Sequence, residues 1–157
     1  MKRRRTIRYQ GVNLSPFLAK SKNIGSGRVW DFTLPWVEDD HVVASNGHIM
    51  VRVKIRSQEP ATEWLRENHP KMLSSPWPSN PRCRRFPGAP VTRFVTMYDE
   101  GKRKVQLLAG TRHFACVYVR IIRKLPAVRW HAFGPNNLPM LYARFAGGEI
   151  LLMGIAP

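Results

Sequence analysis

The fifteen residues HVVASNGHIMVRVKI, positions 41–55, leave the chain few folds to choose from. Val42, Val43 and Ala44 form a short apolar run, and Asn46-Gly47 follows at once. Ile49, Val51, Val53 and Ile55 then alternate with Met50, Arg52 and Lys54. Alternation with period two sends successive side chains to opposite faces of a strand. Asn-Gly is the preferred pair for a two-residue type I′ turn, since both central residues need positive φ. The stretch therefore predicts a β-hairpin with one apolar face. Just upstream, Trp30, Phe32, Leu34 and Trp36 alternate with Asp31 and Thr33, which predicts a strand over 29–37. Pro35 marks it as an edge or a bulge near its end. The turn Glu38-Asp39-Asp40 leads from this strand into the 41–55 hairpin, so that two successive hairpins make an antiparallel meander.

Around this core the remaining signals are local. Ser15-Pro16 reads as an N-cap with proline at the first helical position, opening a short helix that Gly25 and Gly27 end. Pro60 opens a second helix, with Trp64 and Leu65 as its apolar contacts and His69-Pro70 as its stop. Residues 70–90 hold six of the 13 prolines and read as a long irregular loop. Strands follow at 94–98 and 105–108, with a turn at 99–102 between them and Gly110 turning the chain again. Residues 113–122 read as a central strand, Phe114, Cys116 and Tyr118 facing one way and Ala115, Val117 and Val119 the other. Residues 141–145 and 149–155 form a last hairpin around Ala146-Gly147-Gly148. The class is α+β, antiparallel sheets with two short helices, and 157 residues suffice for one domain with its own core, spanning 1–157.

Charge points to the partner. The chain carries 26 Lys+Arg against 10 Asp+Glu, a formal +16. A polyanion is the leading explanation, nucleic acid before membrane; the bland one is solubility. Arg3, Arg4 and Arg5 belong to a basic arm over 1–10, which either frays into solvent or lies along phosphates. Lys20 and Lys22 lie on the polar side of the first helix. Between Gly101 and Trp130 stand eight Lys or Arg residues and no acid: Lys102, Arg103, Lys104, Arg112, Arg120, Arg123, Lys124 and Arg129. Of the five tryptophans, Trp30 and Trp36 read as core. Trp77, in the proline-rich loop, and Trp130, beside Arg129, are the better candidates for stacking on bases.

Three of these stretches resemble the bacterial sliding clamp, the β subunit of DNA polymerase III. VVASNGHIMVRV resembles its strand-turn-strand, with Ala44, Gly47 and His48 matching and Ser45-Asn46 in place of Thr-Asp. Lys124-Leu125, with Pro126 and Trp130 following, resembles its Lys-Leu segment before an aromatic. LYARFAGGEILLMGIAP resembles the last two strands of a clamp domain, Met153 matching its terminal methionine. The resemblance covers about 29–55, 105–130 and 140–155, and 56–93 departs from it. It implies one clamp-type domain, basic side chains toward duplex DNA, and binding that ignores sequence. It also implies a self-assembling processivity or accessory factor, because one such domain makes a ring only as a homo-oligomer. The apolar C-terminal strand is the expected pairing edge. The alternative it leaves open is a clamp-fold interaction protein that meets replication or repair proteins without encircling DNA.

Little argues for catalysis. Ser45 and His48 flank a turn, which is hairpin geometry rather than a triad. Glu38-Asp39-Asp40 could hold Mg²⁺, but three acids in a turn between strands are usually solvated. There is no P-loop and no dinucleotide fingerprint, so no cofactor is expected. Cys83 and Cys116 lack metal-ligand spacing, and Cys116 reads as a small core residue. A small basic nuclease ranks last among the readings. No apolar run has transmembrane length and no signal-type apolar segment follows Met1, so a cytoplasmic protein without membrane contact is expected.

Overall fold

The computed structural model describes residues 6–20, 23–25, 28–30, 32–56, 89–91, 93–98, 105–109, 112–134 and 139–155. They form an α+β arrangement of antiparallel sheets, which divides into two units, Met1–Leu73 and Ser74–Pro157.

The first unit opens with the hairpin β1 (Arg8–Tyr9) and β2 (Val12–Asn13), turned by Gln10 and Gly11 at φ 45° and 77°. Tyr9 and Val12 are buried. The basic arm therefore ends before this hairpin rather than running to residue 10. The helix expected at Ser15 is a single 3₁₀ turn, Ser15–Phe17, capped by Leu14. Ser15 is not the cap: its Oγ accepts a 2.8 Å hydrogen bond from the Ile7 amide and ties the β1 entry to this turn. Pro16 still occupies the first turn, where its missing N–H is harmless. Leu14, Phe17 and Leu18 supply its buried contacts.

The strand expected over 29–37 is broken in two. β3 (Asn23–Gly25) pairs with β4 (Arg28–Trp30) as a separate hairpin, and β5 (Trp36–Glu38) begins directly after Pro35. Proline has no amide to give a ladder, and here it marks the strand's first possible start. β5 pairs with β6 (His41–Ser45), and β6 with β7 (Ile49–Lys54). Val42, Val43, Ala44, Ile49, Val51 and Val53 are all buried, and Trp36 is buried among the core residues.

The central hairpin turns one residue later than Asn-Gly implies. Ser45 faces Met50, and the Asn46 amide donates to the Ile49 carbonyl, so Gly47-His48 are the two central residues. Gly47 alone has positive φ, 91°, at the position a type II′ turn reserves for glycine. Side chains decide the shift. Asn46 Oδ1 accepts from the His48 and Ile49 amides at 3.0 and 3.1 Å, and Ser45 Oγ accepts from Gly47 N–H while donating to the Ile49 carbonyl. Such local bonds compete with the backbone's own turn geometry.

The second unit holds two sheets. β8 (Ala89–Pro90) is the short edge of one of them, and its two residues are the end of the stretch expected to be all loop. β9 (Val95–Tyr98), β10 (Val105–Ala109) and β11 (Arg112–Ala115) form a three-stranded meander. The chain then becomes α1 (Cys116–Arg123) rather than continuing the strand expected over 113–122. Cys116, Val119 and Ile122 are buried at helical spacing, whereas Val117, which a strand would place with Val119, is 58 % exposed. Lys124 caps the helix, and Leu125 and Pro126 lead out of it. β12 (Arg129–Phe133), β13 (Met140–Phe145) and β14 (Gly148–Met153) follow, with Ala146 and Gly147 turning the last hairpin.

The C-terminal strand is not an open edge. Ile150, Leu151 and Leu152 are 0, 3 and 0 % exposed, main chain included. A row of free amides and carbonyls would leave that backbone accessible, so pairing of copies through this strand loses its basis. The helix at Pro60, Trp64, Trp77, Cys83, the turn at 99–102 and Gly110 lie outside the described residues.

Candidate nucleic-acid interface

The spacing that buries Cys116, Val119 and Ile122 sends the other side of α1 outward. Around its last turn Arg120, Arg123 and Lys124 are exposed, and the first turn contains no acid. Arg120 and Arg123 stand in the last turn, where the negative end of the helix dipole favours cations. Three positive charges on two turns of helix repel one another, so the face gains stability from any anion laid across it.

Arg123 is held in place. Its guanidinium carbon lies 5.3 Å from the centroid of the Phe94 ring, within cation–π range. Phe94 in turn meets Trp130 edge-to-face, centroids 5.0 Å apart at 65°. Trp130 is fixed by β12, whose Trp130 carbonyl accepts the Val91 amide at 3.0 Å. Both rings are only partly buried, and Arg93 and Val95 beside Phe94 are exposed.

Arg129 is exposed on β12 and sits directly opposite Arg144 of β13. Like charges in facing positions destabilise a strand pair. Glu149 partly relieves this, with its Oε1 3.2 Å from Arg144 Nη2. Burial works against the Arg144 charge, but the neighbouring Tyr142 and Glu149 outweigh it and raise its pKa. Tyr142 donates a 2.8 Å hydrogen bond to the same carboxylate, and burial followed by that bond pushes its phenol up to about 12. A phenol whose pKa rises on folding stabilises the fold fully below its ordinary value near 10 and loses that contribution as pH climbs toward 12. Tyr142→Phe is therefore expected to melt lower than the parent at pH 8, and to show a smaller drop in melting temperature between pH 10 and 12. Parallel slopes in thermal melts across that window would remove the linkage.

Of the candidates read from sequence, Arg120, Arg123, Lys124 and Arg129 are exposed in the second unit, the first three gathered at one helix. Lys20 is exposed in the first unit, next to Ala19, whose amide donates to the Phe32 carbonyl. Arg3, Arg4, Arg5, Lys22, Lys102, Arg103 and Lys104 lie outside the described residues. Arg112 is a structural residue instead: its Nη2 donates to the Gly134 carbonyl at 3.1 Å and its Nε is buried without a hydrogen bond. Phe94, Arg93 and Arg144 were missed by sequence reasoning, since only the fold brings them beside the basic residues.

The other polar clusters are occupied with local structure. Asp40 Oδ1 lies 2.6 Å from His41 Nδ1 and Oδ2 lies 3.6 Å from Lys54 Nζ. Desolvation raises the Asp40 pKa, but His41, Lys54 and hydrogen bonds to the carboxylate together outweigh it and hold the group below the usual carboxylate range. Glu38 accepts from Trp36 Nε1 at 3.3 Å. Glu38 and Asp40 of the acidic turn thus have side-chain partners, and among the described residues no group of three His, Cys, Asp or Glu is placed to hold a metal ion. The Ser45 hydroxyl donates to the Ile49 carbonyl and accepts the Gly47 amide within its own turn. No described helix is long and apolar enough to cross a membrane. No protein-family model, curated protein or solved structure matches the chain.

Proposed function

We propose that the protein binds duplex DNA without regard to sequence, as a sliding-clamp-like accessory factor, and that α1 with Arg129 faces the phosphates. The observation that carries this reading is the C-terminal end of α1: Arg120, Arg123 and Lys124 exposed around one turn, within a stretch from Gly101 to Trp130 that contains no acid. Such a face supplies point charges and a guanidinium fork to phosphate oxygens, which fixes position on a duplex but reads no bases. The clamp resemblance adds that a helix and basic side chains meet the duplex in that family. The formal charge of +16 supplies the long-range attraction.

The test is the combined variant Arg120→Gln, Arg123→Gln, Lys124→Gln. All three side chains are exposed, so the fold should survive. Affinity for duplexes of unrelated sequence should fall by a similar factor, and the dependence of log K on log salt should flatten by roughly 0.9 for each phosphate that is no longer neutralised. Unchanged affinity, or loss confined to one duplex sequence, would contradict the proposal.

A further inference from the structure

The triad Arg123, Phe94 and Trp130 is more than a reinforced cation. A duplex-binding face needs charge, and charge alone would be served by lysines standing in water. Here two aromatic rings from separate elements are left partly exposed at the surface, locked edge-to-face, with a guanidinium over one of them. Further exposed cations stand near them in the chain: Arg93 precedes Phe94, and Arg120 and Lys124 belong to the helix end that carries Arg123. A partly exposed aromatic pair with a guanidinium on it and further cations close by in the chain suits one chemical unit, a nucleotide, whose base offers a π face and whose phosphate offers charge. Arginine planes and aromatic rings are both stacking partners for bases. Bases inside a duplex have their faces covered by their neighbours, so a paired strand cannot use this surface.

We propose that Phe94, Trp130 and Arg123 form a stacking site for an unpaired nucleobase, so that the basic face takes single-stranded DNA, or the single-stranded end of a duplex, in preference to uninterrupted duplex. This rests on the nucleic-acid reading above and names the form of nucleic acid that its site accepts. Phe94 and Trp130 supply the apolar surface, Arg123 a stacked plane with donors left for the adjoining phosphate, and Arg93, Arg120 and Lys124 hold the strand on either side.

The experiment separates bases from phosphates. Fluorescently labelled oligothymidylate, an abasic oligonucleotide of equal length and a duplex are titrated with the whole protein at one fixed salt concentration. The parent protein should bind oligothymidylate roughly tenfold more tightly than the abasic strand, the gain expected for one stacked base. Phe94→Leu keeps an apolar side chain and every charge; it should erase most of the difference between the thymidylate and abasic strands. Trp130→Phe, which retains a ring, should keep part of it. Equal affinity of the parent for the thymidylate and abasic strands overturns the stacking site while leaving duplex binding standing. A difference that persists undiminished in Phe94→Leu places the bases elsewhere and also overturns it. Failure of all three nucleic acids to bind at low salt removes this inference together with the function it rests on.

Discussion

Replacing Val119 by aspartate is expected to unfold the protein at ordinary temperature, while the same replacement at Val117, two residues away, should leave the melting temperature almost unchanged. Val119 is fully buried and Val117 is 58 % exposed. A carboxylate at position 119 would have to give up its hydration with no cation supplied in return, a penalty on the order of 4 kcal/mol or more, comparable to much of a domain's whole stability. At 117 the carboxylate stays in water and stands in the first turn of α1, which has no acid, where the helix dipole favours it by roughly 0.5 kcal/mol. A strand would put both valines on one face and make the two variants similarly harmful. Circular dichroism melts of the pair therefore decide between helix and strand for residues 116–123.

Gly154→Ala should be strongly damaging for so small a change. A Cβ there would lie 2.8 Å from the Pro139 carbonyl oxygen and 2.9 Å from that of His113, with the Pro139 ring closer still. Both carbonyls are in use: Pro139 accepts the Gly154 amide at 2.7 Å and His113 accepts the Ile155 amide at 2.9 Å. Making room for one methyl group means separating backbone segments rather than turning a side chain, so the expected loss is about 3 kcal/mol. Gly47 gives the contrast. Its φ of 91° disfavours any side chain, yet a Cβ there meets nothing within 4 Å. Gly47→Ala should thus lose only about 1 kcal/mol, from backbone strain alone. Chemical denaturation of both variants measures the difference, and a Gly154→Ala protein as stable as Gly47→Ala would mean that the close approach at Pro139 is wrong.

The parts of the fold that were legible in the sequence are those set by neighbours in the chain. Alternation from Ile49 to Lys54, the acidic turn before His41 and the glycine pair before Glu149 all fix hairpins locally, and all three hairpins form. The turn at Gly47 moved by one residue because Ser45 and Asn46 bond the loop amides through side chains, which a hydrophobic pattern does not record. Residues 113–122 misled for a different reason. A helix of eight residues makes little more than two turns, and over that length Cys116, Val119 and Ile122 satisfy a helical spacing while Phe114, Cys116 and Tyr118 satisfy a strand's. Valine and isoleucine there tilt the local preference toward strand, and burial of the helical stripe overrides it. For the site, charge was visible as a run without acids. The meeting of Arg123, Phe94 and Trp130 was not, because three separate elements bring them together.

The central claim is that a basic face holds DNA by its phosphates, and the salt dependence of binding by the unaltered protein addresses it most directly. Two labelled duplexes of unrelated sequence are titrated at several salt concentrations between about 50 and 200 mM. If Arg120, Arg123, Lys124 and Arg129 each neutralise one phosphate, log K should fall with log salt with a slope of about −3.6 or steeper, the same for both sequences. A slope near zero, or a strong preference for one duplex that persists at high salt, would contradict it.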